Sequence, residues 1–278
     1  MKKLLYPIVL AVLLAGSLTR CTKGNVQEPI LTSLTQEEKA LITSAGFNGN
    51  WAEKTFNGKF LIENDILLSK DQLVEMSGVN PTNYINVANE EHYTTYNLVS
   101  VSGSSRTITV RLGSGFPAYF STGLDQVISR YNSYNLKIKF QRVTSGGEIV
   151  INGANLGTSG GGCILGQASG FPTSNGNPSS GFTLSTSSCA TSYINTADKA
   201  DEVMAHEIGH CIGFRHTDYK KRSSCGHGPG ESAGSIGAVW VPGTPTNVSG
   251  SYNSWMMACV NGSPAFSADD VTALNYIY

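Results

Sequence analysis

The chain is predicted to fold as an α/β (α+β) domain around a twisted, mostly parallel sheet. Residues 106–112, Arg-Thr-Ile-Thr-Val-Arg-Leu, alternate polar and apolar side chains as a half-buried strand does. Residues 118–133 then place Leu124, Val127, Ile128 and Tyr131 at helical spacing, and residues 136–143 return to alternation. A strand, a helix and a second strand in this order favour parallel pairing through a crossover.

The remaining elements follow along the chain. Residues 148–151 read as a short apolar strand. Residues 153–188 are rich in Gly, Ser, Asn and Pro and read as loops around one further strand at 182–185. A helix over 198–212 begins after Thr196 or Asp198, either of which can accept hydrogen bonds from its free amides. Residues 267–278 carry a serine N-cap, an acidic first turn and apolar Val271, Leu274 and Ile277, and close the chain as a helix. Upstream lie a polar lead, a short helix over 36–43, and Phe60-Leu-Ile-Glu-Asn-Asp-Ile-Leu-Leu-Ser, which reads as a strand packing on the domain.

A length of 278 residues suits one domain plus an extra segment, divided here as 1–21, 22–105 and 106–278. A net charge of −1 argues against general attraction to nucleic acid. Met1-Lys2-Lys3 followed by apolar residues 4–15 is expected to be a signal peptide, its apolar run being too short to span a bilayer. Cys21 stands where a bacterial lipoprotein carries its lipid, although Arg20 occupies a place normally held by a small residue; cleavage after Ser17 is the competing reading. The protein is therefore expected to be exported, either to the cell envelope or surface as a lipoprotein or as a secreted protein, with membrane contact only through Cys21.

An oxidising compartment makes disulfides expected. Apart from Cys21 the cysteines are Cys163, Cys189, Cys211, Cys225 and Cys259, an odd number. Cys163 with Cys189 would staple the loop-rich segment, and Cys211 with Cys259 would tie the 198–212 helix to the C-terminal region. Cys225 competes for either partner.

Residues 206–218 read His-Glu-Ile-Gly-His-Cys-Ile-Gly-Phe-Arg-His-Thr-Asp. At 3.6 residues per turn, His206 and His210 project from one helix face and can reach one metal ion. Gly213 tolerates positive φ, so the helix can end there and the chain can turn back to present His216. Three imidazoles suit zinc and leave the fourth tetrahedral position for water, which makes the site catalytic rather than structural. Glu207, beside the ligands, is the candidate general base. An amphipathic helix that merely carries two histidines is the bland alternative; the glycine and third histidine at the required spacing weigh against it.

The string H-E-x-x-H-x-x-G-x-x-H is the metzincin signature. Residues from about 105 onward resemble a metzincin catalytic domain, and the His-Glu-Ile-Gly-His wording together with the export signal is most similar to the dual-action HEIGH metallopeptidases. The resemblance implies a metzincin-like fold with an active-site helix, a Met-turn and a C-terminal helix. It implies His206, His210 and His216 as ligands of one catalytic Zn2+, and Glu207 as base. Met256, in Ser254-Trp255-Met256-Met257, would be the Met-turn residue, with Met257 as the alternative and plain core filling as the competing role. It also implies that the last strand before the active-site helix is an edge strand and that the 153–188 region grips an extended peptide by strand addition, with an ordinary glycine-rich surface loop as the alternative. Two departures stand out: Ala258 occupies the place of the tyrosine ligand of some subfamilies, and Cys211 is uncommon after the second histidine.

An open metal position in an exported peptidase often needs blocking until export is complete. No cysteine lies between 22 and 162, which excludes a thiol block; Asp65 or Glu63 could act instead, against the plainer reading of a packing strand. His92 and His227 are read as surface histidines. Lys220-Lys221-Arg222 reads as a solvated face or a nick site. Asp218 is placed either orienting a ligand histidine or accepting backbone hydrogen bonds. The expectation is a monomeric, exported zinc endopeptidase acting on protein or peptide substrates; the alternative is a zinc-containing binding lipoprotein without catalysis, which would have no use for Glu207.

Overall fold

In the computed structural model the described residues are 33–278 apart from 56, 79–91, 160, 227–229, 232–236, 246–251, 261, 263 and 264. The signal peptide, Cys21 and His227 lie outside them. The strands are β1 (Ala52–Lys54), β2 (Phe60–Ile62), β3 (Ile66–Leu68), β4 (Tyr93–Thr94), β5 (Arg106–Leu112), β6 (Ile138–Arg142), β7 (Ile149–Ala154), β8 (Thr158–Ser159), β9 (Gly162–Cys163), β10 (Gly166–Ala168), β11 (Gly181–Ser185) and β12 (Val239–Trp240). The helices are α1 (Gln36–Ser44), α2 (Lys70–Ser77), α3 (Ala118–Ser133), α4 (Ser188–Tyr193), α5 (Ala197–Cys211) and α6 (Ala268–Ile277).

The alternating segments pair as predicted. β5 lies parallel to β6 and to β7, with α3 as the crossover, and β7 lies parallel to β11. The full sheet has eight strands in the order β1-β2-β3-β10-β11-β7-β5-β6. β10 runs antiparallel to β11, and β3 adds in parallel to its other side through the single pair Ala168↔Ile66. The segment 60–69 is thus a hairpin that extends the sheet rather than one strand packed on it. β10, Gly-Gln-Ala, escapes sequence reading because three residues of low strand propensity carry no alternation.

One apolar core joins the sheet to the helices. Ile108, Val110, Ile138, Phe140, Ile149 and Ile151 from the strands pack with Leu124, Val127 and Tyr131 of α3 and Val203, Met204 and Ile208 of α5. α5, capped by Thr196, is buried along its whole length from Ala200 to Cys211, so its outer face is covered as well. At the α3–α5 contact, a Cβ on Gly123 would fall 2.8 Å from the Ala197 carbonyl oxygen and 2.9 Å from the Ala200 Cβ. A second, smaller core holds α1, α2 and the β2–β3 hairpin together around Ile42, Phe47, Phe60, Ile66 and Leu73, and among the described residues of the catalytic region only Phe171 joins it.

α6 opens with a capping box between Ser267 and Asp270. The Asp270 carboxylate is fully buried: Oδ1 lies 2.6 Å from His92 Nε2, and Oδ2 accepts from the backbone N–H of Trp255 at 3.2 Å and of Ser267 at 2.7 Å. His92 is therefore a buried brace and not a surface residue; one carboxylate ties together the β4 entry, the 254–257 turn and the last helix.

The disulfides are Cys163–Cys189, as expected, and Cys225–Cys259. The bridge between Cys211 and Cys259 does not form. One residue past His210, Cys211 lies about 100° further round the helix, and its thiol turns away to the Gly181 carbonyl, free and buried.

Gly123→Ala gains about 1 kcal/mol in helix propensity but overpacks α3 on α5 at a cost of about 1–3 kcal/mol; a lowered melting temperature is expected by calorimetry. Asp270→Ala removes the main partner of His92 and leaves two amides unpaired in the interior, and is expected to cost about 3–5 kcal/mol, read by urea unfolding.

Candidate active site

Helical spacing on α5 brings His206 Nε2 and His210 Nε2 to 3.1 Å from each other. The helix ends at Gly213, whose φ of 109° is open to glycine at little cost, and a Cβ there would fall 2.8 Å from Leu98 Cδ2. The returning chain is held by main-chain bonds: Thr95 N–H donates to the Gly213 carbonyl and Arg215 N–H to the Tyr93 carbonyl. This bend carries His216 back to the two helix histidines, with ring centroids 5.3 Å from His206 and 4.9 Å from His210.

Each ring is fixed from behind. His206 Nδ1 lies 2.9 Å from the Trp255 carbonyl oxygen, His210 Nδ1 2.8 Å from the Phe214 carbonyl oxygen, and His216 Nδ1 2.7 Å from Glu231 Oε1. An oxygen acceptor at each Nδ1 holds the hydrogen there and leaves the Nε2 lone pair facing inward. The 254–257 turn sits directly under the helix: a Cβ on Gly209 would fall 2.3 Å from Met256 Sδ. Thr217 N–H donates to the Met256 carbonyl, and Met256 N–H to Ser254 Oγ. Met256 is thus the residue under the histidines, while Met257 borders the cleft.

The fourth atom among the imidazoles is Asp65 Oδ2, from the turn between β2 and β3. It lies 3.3 Å from His206 Nε2, 3.3 Å from His210 Nε2 and 2.5 Å from His216 Nε2. Four ligand atoms set tetrahedrally about zinc at its usual bond lengths stand about 3.3 Å apart. The spacings 3.1, 3.3 and 3.3 Å match that edge, the 2.5 Å from His216 to Asp65 is a hydrogen-bond distance, and all four atoms lie within 4.8 Å of one another. Asp65 Oδ1 and Glu207 Oε2 are buried with no hydrogen-bond partner among the described residues. The donor set and these bare oxygens fit a metal ion and its water.

Glu207 is buried beside this cluster. A Cβ on Gly166 would fall 2.2 Å from Glu207 Oε1, so the missing side chain of β10 is the space the carboxylate occupies. Burial, and after it the Asp65 charge, push the Glu207 carboxyl well above its ordinary range. Burial pushes His210 down to about 4, keeping that imidazole neutral. For His216 burial acts in the same direction, but Asp65 and Glu231 outweigh it and hold the ring well above its usual value. Burial also opposes ionisation of Asp65, yet the charge of His216, with the contacts of His206 and His210, holds it well below the carboxylate range. A cleft of about 480 Å³, lined by Asn64, Leu165, Gly166, His206, Glu207 and Met257 among others, opens beside the cluster.

Behind His216 lies a buried charge network that sequence reading missed. Glu231 accepts from Arg222 Nη1 at 2.7 Å and lies 3.5 Å from Arg215 Nη2; Glu63 Oε1 lies 3.1 Å from the same Arg215 nitrogen. Burial and then the charge of Glu231 raise Glu63 to about 8; Glu231, despite burial, is held to about 2 by His216 and the two arginines. Arg222 is accordingly buried, so the Lys220-Lys221-Arg222 run is no solvated face; of the three, only Lys221 is exposed. Asp218 touches no ligand histidine. Its carboxylate accepts from the N–H of Ser224 and of Ala258, shaping the loop after His216. Glu231 lies in a glycine-rich stretch without periodicity, and nothing local in the sequence marks it.

The solved structures "Structure of myroilysin" and "Crystal structure of myroilysin" are similar at 19% and 17% identity, with TM-scores of 0.29 and 0.34. The first match covers 45% of this chain and 54% of that chain; the second covers 61% and 82%. A search of curated proteins finds no match. The family model of the dual-action HEIGH metallo-peptidase matches residues 60–278, most of the described chain, and the chain belongs to that family of metallopeptidases.

Proposed function

We propose that the protein is an exported zinc endopeptidase that hydrolyses peptide bonds of proteins outside the cytoplasm, with His206, His210 and His216 holding the ion and Glu207 as general base. The observation that carries this reading is the convergence of three Nε2 atoms beside a buried, partnerless carboxylate oxygen at the wall of a cleft. A zinc ion held there supplies Lewis acidity, polarising the scissile carbonyl and acidifying a water.

The chain's own residues do the rest. Glu207, beside the ligand histidines at the wall of the cleft, is placed to take a proton from the attacking water as a carboxylate and to return it to the leaving amine. Gly166 leaves it the room to do so. β10 borders Glu207 on one side and is the strand along which an extended peptide would add, giving main-chain hydrogen bonds for affinity. Glu231 positions His216 through Nδ1, and Arg222 and Arg215 neutralise Glu231 in turn.

Glu207→Gln is expected to lower casein hydrolysis by about 10²–10⁴-fold in an assay long enough to read a slow rate, while elemental analysis still finds zinc. Unchanged hydrolysis would remove Glu207 from the reaction; no hydrolysis by the parent protein would favour a zinc-containing binding protein. Glu231→Gln weakens the hold on His216 and is expected to reduce zinc affinity by about 10–100-fold, measured by competition with a chromogenic chelator.

A further inference from the structure

Outside the groups assigned to hydrolysis, the most strongly placed polar residues are those of the β2–β3 turn. Glu63 and Asn64 both take left-handed backbone conformations, at φ 56° and 66°, an arrangement that costs non-glycine residues about 1 kcal/mol or more each. The strained turn aims the next side chain, Asp65, into the three imidazoles. Glu63, two residues earlier, reaches Arg215 with Oε1, and its carbonyl accepts from Arg222 Nη2 at 3.1 Å. The Asp65 carbonyl accepts from the Ala168 N–H at 2.6 Å, on the outer edge of β10.

We infer that this turn is a built-in inhibitor: Asp65 stands where the reacting water must stand, Glu63 anchors the turn on the buried arginines, and β3 covers the strand edge a substrate would use. The inference rests on the zinc reading above. Each part of it has a separate support. Asp65 Oδ2 stands among the three Nε2 atoms, 3.3 Å from those of His206 and His210 and 2.5 Å from that of His216, so the carboxylate and a water compete for one position. Substrate addition and β3 compete for the same edge of β10.

The inhibitor is also separable. The three rings are oriented by Trp255, Phe214 and Glu231, none of which belongs to the N-terminal segment. The described residues before 79 contribute nothing to the main apolar core and instead build their own around Ile42 and Phe60. Withdrawing the turn therefore uncovers the imidazoles without dismantling what positions them.

The test uses the full chain loaded with zinc, as the parent, Asp65→Ala, the near-isosteric Asp65→Asn, and Glu63→Gln, each checked for folding by thermal melting. The probe is acetohydroxamate, a small chelator that needs the ligand position Asp65 fills; hydrolysis of casein is read in parallel. Both Asp65 variants are expected to keep one zinc per chain, to bind the probe about tenfold tighter or more, and to hydrolyse faster by a similar factor, because the competent fraction rises. Glu63→Gln, which loosens the anchor alone, is expected to give a smaller rise in both. Zinc-loaded parent and Asp65 variants that bind the probe alike would overturn the inhibitor while leaving the zinc reading intact. A folded parent that takes up no zinc would overturn both.

Discussion

Three imidazole nitrogens must face one point in the interior, and the rest of the structure is arranged around that requirement. An imidazole presents a lone pair inward only if its other nitrogen is held by an acceptor. Here the acceptors come from three places: the carbonyl of Trp255 in the turn before α6, the carbonyl of Phe214 just past the helix, and the carboxylate of Glu231 in the following loop. The last acceptor is itself charged and buried, which requires Arg222 and Arg215 beside it. Asp270 then fixes the first acceptor by binding the Trp255 N–H and His92 together. A motif of a dozen residues thus draws on chain from both ends of the catalytic region.

Close approach is the second recurring theme, and glycine provides it at sites of different kinds. Gly209 lets Met256 lie against α5, and Gly166 gives the Glu207 carboxylate its space. Neither has positive φ; what matters is the absent side chain. Gly213 is different, since its backbone conformation itself ends the helix. The His-Glu-Ile-Gly-His wording therefore encodes packing as well as ligands: its glycine is the floor on which the methionine rests.

Much of this was legible in the residues. The parallel β5–β6–β7 arrangement, α3, α5 and α6 all follow from periodicity and caps, because each is long enough to show a period. The histidine constellation follows from spacing. What escaped was short or non-local. β10 has three residues and no pattern, and Glu231 lies in an irregular loop where only tertiary contact gives it meaning. His92 and Arg222 looked like surface groups because their partners, Asp270 and Glu231, are 178 and 9 residues away in the sequence, and neither separation matches a helix or strand period. Cys211 failed as a bridge partner for a reason that is local: the rotation of one helix residue turns it to β11 instead of the Met-turn.

The way the N-terminal hairpin meets the imidazoles also bears on why it would persist beside a hydrolytic centre. What enters the cluster is the side chain of Asp65, whereas its main-chain carbonyl is turned outward to the Ala168 N–H. On both sides the backbone folds back at once, into β2 through the left-handed Glu63 and Asn64 and into β3 at Ile66. This hairpin lays no extended peptide bond across the three histidines, and attack by a water requires a carbonyl within reach of both the ion and Glu207. A hairpin therefore offers the site a ligand while withholding a substrate. The left-handed pair at its tip, costly in isolation, is stabilised by the contacts of Glu63 with Arg215 and Arg222 and by the small apolar core behind it.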